Sequence, residues 1–298
     1  FLPGYKTVIH KKDNEAMHYK IIADSCCDYV QQGEDILSFV TRVPLSIDLD
    51  GRTFIDDASL DCAAFLADMA KSRTAPRSAC PSPMAFAEAC KGPQQDIYIV
   101  TLSAKVSGTY DSAYTGAQMA MAADPEKHVH VFNSHSAAAG EVALCLKLQE
   151  LAQQGLSFQE VVEAGEAYVS SLTTDFVLED LDVFRKNGRL NHLQAIATSA
   201  LRIKLVMGAD EEGAIVVRAK GLGINRALTA LVEHVKSICD AQPCQDRLLV
   251  ITHCNCLERA EEVRKRIMAA CPFRDSMICR PSGISTMYAN DGGIVLAF

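Results

Sequence analysis

The chain has 298 residues, 49% of them hydrophobic, which is enough for one large core or two ordinary ones. A net charge of -8 at pH 7 excludes the generally basic face that nucleic-acid binding needs. No apolar run reaches the roughly 18 residues of a spanning helix, which excludes stable membrane insertion.

The opening FLPGYKTVIHKKDNEAMHYK has no signal-peptide pattern, and residues 1–17 are set aside as an N-terminal extension. The apolar run YKIIAD (19–24) predicts a first strand that ends in a polar loop at Asp24-Ser25. Asp50-Gly51 between two extended runs, VPLSIDLDGRTFID, predicts a hairpin. Ser59 is the expected cap of a helix reaching Ser72. TAPRSACPSP (74–83) reads as a proline-stiffened loop, and a helix follows from Ser82 to before Gly92-Pro93.

DIYIVTL (96–102) is a buried-type strand. A small-residue turn then leads into a helix from about Gly108 to Ala123. A strand at 128–132 and helices at 139–154 and 157–171 complete an alternating pattern, which predicts a parallel sheet covered on both faces. Beyond it, strands are expected at 173–178, 202–208, 214–220, 247–252, 275–280 and 292–298. Helices are expected at 181–186, 191–200, 223–239 and 256–270. The reading is therefore α/β: a parallel-sheet N-terminal domain over 18–170 and a smaller α+β C-terminal domain over 171–298. No internal repeat or low-complexity segment appears.

Three segments are candidates for chemistry. LSAKVSGTYDSA (102–113) places Ser107, Gly108 and Thr109 at a helix start, where unpaired backbone N–H groups favour an anion. Helix capping by Ser107 is the plain alternative. RSACPSP (77–83) either presents the Ser78 hydroxyl or only spaces the helix capped by Ser82. FRKNGRL (184–190) gathers Arg185, Lys186 and Arg189 at a helix end, where cations are also ordinary stabilisers.

Weaker candidates are His128, His130 and His135, and His253-Cys254-Asn255-Cys256, which lacks a second pair at zinc spacing. No metal is expected. Asp24-Ser25 and Asp56-Asp57 are possible paired acids, or solvated loops and helix caps. No GxSxG, Walker A, HExxH or strand-following GxGxxG motif occurs. The twelve cysteines sit mainly in apolar patterns, which fits free thiols in a reducing cytoplasm better than a disulfide framework.

In order along the chain, ADSCCDY (23–29), RVPLSIDLDGRTFIDD (42–57), RSACPSP, LSAKVSGTYDSA, LEDLDVFRKNGRL (178–190), LRIKLVMG (201–208) and ANDGGIVLAF (289–298) resemble the DegV family. The resemblance covers essentially residues 18–298. It implies a two-domain EDD fold with a long-chain fatty acid buried in it and no catalytic residue or other cofactor. It also implies a fatty acid kinase as partner, making acyl phosphate for bacterial phospholipid synthesis.

The family's carboxylate site maps onto Ser107, Gly108 and Ser78. Tyr288 stands where relatives often carry His, and Ala79 and Cys80 replace the Ser and Gln of the family's TSQPSP loop. Arg185, Lys186 and Arg189 are assigned to the partner. The competing readings are a Ser107-dependent acyl hydrolase, with Lys105 or His135 as activating base, a kinase-like enzyme, and an interaction protein holding a structural lipid.

Overall fold

The structure, a computed structural model, describes residues 18–30, 37–191 and 203–298. The N-terminal extension and nearly all of the helix expected at 191–200 lie outside that set.

Strands β1 (Tyr19–Asp24), β3 (Val40–Val43), β7 (Asp96–Thr101) and β8 (His128–Asn133) form a parallel sheet in the order β3-β1-β7-β8. Alternation along these strands sends side chains to two different layers. Ile22, Ile97, Ile99 and Val131 face one way and pack under helices α2 (Pro83–Ala89) and α3 (Thr109–Ala123). Ile21, Ala23, Tyr98, Val100 and Phe132 face the other way, toward α4 (Ala139–Gln153) and α5 (Phe158–Ser171).

Seven strands make the second sheet. They are β2 (Tyr29–Val30), β9 (Thr174–Val177), β10 (Ile203–Ala209), β11 (Ile215–Leu222), β12 (Leu248–His253), β13 (Asp275–Arg280) and β14 (Ile294–Ala297). Their order is β11-β10-β9-β14-β12-β13-β2, antiparallel except for the β12–β13 pair. One face packs on α7 (Ile224–Ala241) and α8 (Leu257–Ala270) through Val177, Leu249, Ile251 and Leu296. Leu248, Val250, Met277 and Ala297 on the other face join the α4 cluster.

Helix α4 therefore lies between the two sheets. Eleven of its fifteen residues are buried, which explains a sequence apolar all round rather than striped. The C-terminal sheet also takes a strand from the first part of the chain, since Tyr29 and Val30 pair with Arg280 and Cys279. The guanidinium groups of Arg42 and Arg280 lie 4.3 and 4.4 Å from the centre of the Tyr29 ring.

A third, antiparallel sheet, β5-β4-β6, joins β4 (Ser46–Leu49), β5 (Arg52–Ile55) and β6 (Arg77–Ala79). The hairpin turns at Asp50-Gly51 as expected, with both residues at positive φ (53° and 76°). Two sequence expectations are corrected here, and one unassigned segment proves helical. Ser59 does not cap α1 (Cys62–Lys71); Asp61 does, accepting from the Ala63 and Ala64 N–H groups at 3.0 Å, while Ser59 bonds back to Asp57. Residues 77–79 are an edge strand rather than loop, with Ser78 opposite Ile47. Residues 283–289, to which the sequence reading assigned no element, form helix α9 (Gly283–Ala289), capped by the Ser282 hydroxyl.

Helices α2 and α3 approach closely at Gly116, where a Cβ would stand 2.4 Å from the Pro83 carbonyl oxygen and 2.7 Å from Phe86 Cβ. Gly116→Ala should therefore lower unfolding stability by about 1–3 kcal/mol in urea titrations, although alanine favours helix at an open position. An unchanged or higher stability would show that the helix pair separates without cost.

Candidate functional site

The three sheets converge on a mostly apolar cavity that is partly open to solvent. The β7–α3 turn contributes Leu102, Val106 and Ser107, and the β8–α4 loop contributes Ala137 and Ala138. Phe176 and Leu178 come from the β9 segment, Phe184 from α6 (Asp182–Lys186), and Ile284 and Tyr288 from α9. Phe176 and Phe184 stack with centroids 6.0 Å apart, and Phe184 also meets Tyr288 at 4.7 Å. The wall is mostly apolar, with hydroxyls at a few points.

Two of those hydroxyls come from segments 210 residues apart: Ser78 Oγ lies 3.3 Å from Tyr288 Oη. Edge strand β6 brings Ser78 there, and α9 brings Tyr288. Ser107 lines the same cavity one residue before Gly108, the N-cap of α3, which has no side-chain cap bond. The Ser107 Oγ lies 2.8 Å from Thr109 Oγ1 and accepts from the Thr109 N–H at 3.3 Å. Gly108 itself lines a second, polar depression with Lys105, Asn187 and Gly188. Val106, Ser107, Arg189 and Ile215 border both spaces. The depression is thus the polar mouth of the apolar cavity.

The basic cluster divides. Arg185 and Lys186 are exposed and share one carboxylate, Asp182, at 3.1 and 3.4 Å. These bonds, led by the one from Arg185, hold the Asp182 carboxyl below its ordinary range. Arg189 turns inward. Its guanidinium donates to the Val106 carbonyl at 3.2 Å and the Asn187 carbonyl at 2.7 Å, and sits 6.0 Å from the Tyr288 ring centre. Grouping Arg189 with Arg185 and Lys186 by sequence proximity concealed its place at the cavity. The positive φ of Gly188 (77°) makes the reversal that separates them.

Neither proposed base reaches Ser107. Lys105 Nζ pairs with Glu212 at 2.6 Å, and the Ser107 hydroxyl is engaged with Thr109. His135 lines the cavity, and its hydrogen bond runs from its backbone N–H to Asn133 Oδ1. The other three candidate histidines serve local structure. His128 pairs with Asp96, His130 with Glu166, and His253 Nδ1 accepts from the Cys256 N–H. None of the twelve cysteines forms a disulfide.

Asp24 and Asp56 are not solvated. Both are buried, as are Asp28 and Glu141. Asp56 accepts from the Gly283 and Ile284 N–H groups at 2.6 and 3.0 Å, and Asp28 accepts from the Ser282 N–H at 2.9 Å. These acids thereby satisfy the open end of α9, the helix that carries Tyr288. Asp24 accepts from Cys26 N–H and Leu102 N–H at 2.9 and 2.8 Å, fixing the start of the β7–α3 turn. Burial pushes Asp24 up to about 7 and Asp28 up to about 6, against the opposing effect of these bonds. The acids of ADSCCDY and of the hairpin end thus position the cavity rather than line it.

The fold and the cavity define a mixed α/β protein that encloses an apolar space behind a polar mouth. A model of the DegV family of uncharacterised proteins matches residues 18–298, and the chain belongs to that family. A DegV domain-containing protein of Streptococcus pneumoniae is 35% identical over 285 residues, 95% of this chain and 99% of that protein. A DegV-family structure from Ruminococcus gnavus, refined with vaccenic acid, is 39% identical with a TM-score of 0.88, covering 95% of this chain and all of that one. The Streptococcus pneumoniae fatty acid kinase B3 protein, loaded with linoleic acid, is 33% identical with a TM-score of 0.85, covering 94% and 98%. Among the described residues, no helix is long and apolar enough to cross a membrane.

Removing the Asp56 carboxylate should orphan two buried N–H groups at the start of α9. Asp56→Ala should then cost about 2–6 kcal/mol in urea unfolding, at about 1–3 kcal/mol for each of the two unsatisfied groups. The exposed neighbour change Asp57→Ala should stay near 0.5 kcal/mol, the rough scale of surface substitutions. Equal losses for the two variants would mean that α9 is held by something else.

Proposed function

We propose that this protein holds one long-chain fatty acid, with the acyl chain in the apolar cavity and the carboxylate at its polar mouth. The observation that carries this reading is the apolar cavity whose few polar lining groups include Ser78, Tyr288, Ser107 and Arg189. Relatives of similar fold that hold vaccenic and linoleic acid support it. Transfer of a sixteen-carbon chain from water gains on the order of 10 kcal/mol at about 0.8 kcal/mol per methylene. A buried carboxylate without partners would offset much of that gain, and charge-assisted bonds at the mouth recover part of it.

In this reading Ser78, Ser107 and Tyr288 donate to the carboxylate, and Gly108 leaves the backbone at the mouth approachable. The protein carries its ligand rather than converting it. It presents the carboxylate to a cytoplasmic fatty acid kinase, which makes the acyl phosphate, and Arg185 and Lys186 form the outward basic contact for that partner. Arg189, at the mouth, serves the headgroup as well as the docked kinase.

Organic extraction and mass spectrometry of protein purified from a bacterial host should yield a stoichiometric long-chain fatty acid. No ligand, and no uptake of added acid, would end the reading. In a double-mutant cycle on a fluorescent fatty acid, Ser78→Ala and Ser107→Ala should each cost about 1.5–3 kcal/mol. Together they should cost less than the sum if one oxygen receives both hydroxyls. Parent-like binding by both single variants moves the carboxylate elsewhere.

The divided basic cluster supplies a second test. Arg185→Glu should slow kinase-dependent acyl phosphorylation and leave fatty-acid content unchanged, while Arg189→Ala should lower both. If Arg185→Glu matches the parent rate, the partner docks on another surface.

A further inference from the structure

Beneath the cavity, three ligand-type groups meet without a cation. One carboxylate oxygen each of Asp24 and Glu141 and the Cys26 sulfur all lie within 4.8 Å of one another. Asp24 and Glu141 are wholly buried and Cys26 is 3% exposed. Neither Glu141 oxygen has a hydrogen-bond partner, and the thiol beside it is a weak donor. No Lys, Arg or His ion pair reaches Asp24 or Glu141 among the described residues. Two carboxyls buried together and unpaired are costly, and proteins resolve such sites with protons or a metal ion.

We propose that Asp24, Cys26 and Glu141 form a buried site for a divalent transition metal of the zinc class. Asp24 is already oriented, because its two oxygens accept from Cys26 N–H and Leu102 N–H and each keeps a lone pair. Such bonds to a ligating carboxylate are the usual outer support of a metal site. Glu141 comes from the first turn of α4 and points its unpartnered carboxyl into the set. At metal–ligand lengths of about 2.0–2.3 Å, tetrahedral ligand atoms stand about 3.3–3.8 Å apart, so the set closes by about 1.5 Å at most. A sulfur with two oxygens disfavours calcium and magnesium, which take oxygen sets, and suits zinc. The Ser285 hydroxyl, 3.9 Å from the Cys26 sulfur, stands beside the site. Three protein ligands leave a fourth position for it or for water.

A metal here would tie the end of β1 to the start of α4. Both elements border the cavity, through Cys26 and Ala138. It would act on stability and cavity shape, and it is independent of which ligand the cavity holds.

The test uses the full chain, purified without chelator, analysed for metal content, then stripped and titrated with zinc by calorimetry. Near-stoichiometric, saturable zinc uptake is expected, with a higher melting temperature in the zinc form. Cobalt in place of zinc should show a thiolate-to-cobalt charge-transfer band that Cys26→Ser abolishes. Glu141→Gln and Cys26→Ser should weaken zinc affinity by more than the roughly 10–100-fold that loss of an outer-shell partner costs. Cys80→Ser, at an exposed thiol, should match the parent. No stoichiometric zinc in the parent overturns the proposal, whatever the variants do. So does parent-like zinc affinity in both ligand variants, which would put the ion on other thiols. In either case the buried acids are left sharing protons.

Discussion

Everything at the cavity depends on one helix being buried from both sides. Helix α4 packs the parallel sheet through Tyr98 and Phe132 and the mixed sheet through Val250 and Met277. Its N-terminus is therefore fixed by two sheets at once, and the loop before it, Ser134–Ala138, has little freedom. Ala138 adopts φ 54°, a left-handed conformation that costs an alanine energy and persists only where its surroundings impose it. That loop is one wall of the cavity. The two halves of the chain consequently share one core cluster around α4, and strand β2, lent to the second sheet, adds a further tie.

The elements that read clearly in the sequence are those whose pattern is set by burial alone. YKIIAD and DIYIVT are short apolar runs buried on both faces, and Asp50-Gly51 is a turn by backbone preference. Ser82 before Pro83 is a cap followed by proline at the first helical position, and α2 starts there. The elements that escaped owe their structure to distant partners. The two-residue strand at Tyr29–Val30 exists because β13 offers an edge. The strand at Arg77–Ala79 exists because β4 does. Helix α9 begins with Gly283 and includes Ser285 and Thr286, a sequence without strong helix preference. Its N–H groups are claimed by Asp28 and Asp56, more than 220 residues earlier, and no local rule could supply that.

The same distinction governs the site. Ser107 and Gly108 were visible because a strand, a small-residue turn and a helix start are contiguous. Tyr288 and Ser78 entered through family likeness, and their hydroxyl contact is a product of α9 and β6 packing. The place of Arg189 at the cavity was hidden because three cations within five residues look like one patch. The turn at Gly188 sends one of them inward, and Asp182 shares the charge of the other two. A patch of sequence charge is a patch of surface charge only when the backbone keeps the side chains on one face.

The hydroxyls at the mouth also argue for holding rather than turnover. A serine nucleophile needs a base that takes its proton as the bond forms. Ser107 instead exchanges its hydrogen bond with another hydroxyl, Thr109, and the nearby amine of Lys105 is held by Glu212. Such an arrangement donates hydrogen bonds well and removes protons poorly. A carboxylate needs the first and not the second, because it is already charged and gains most from donors that stay protonated. In the proposed reading the apolar wall behind it would supply most of the affinity, being insensitive to where along the chain each methylene sits. The mouth would then fix which end of the proposed ligand faces solvent. Exposure of that end is what a carrier requires if another protein is to do chemistry on the carboxylate without first extracting the chain.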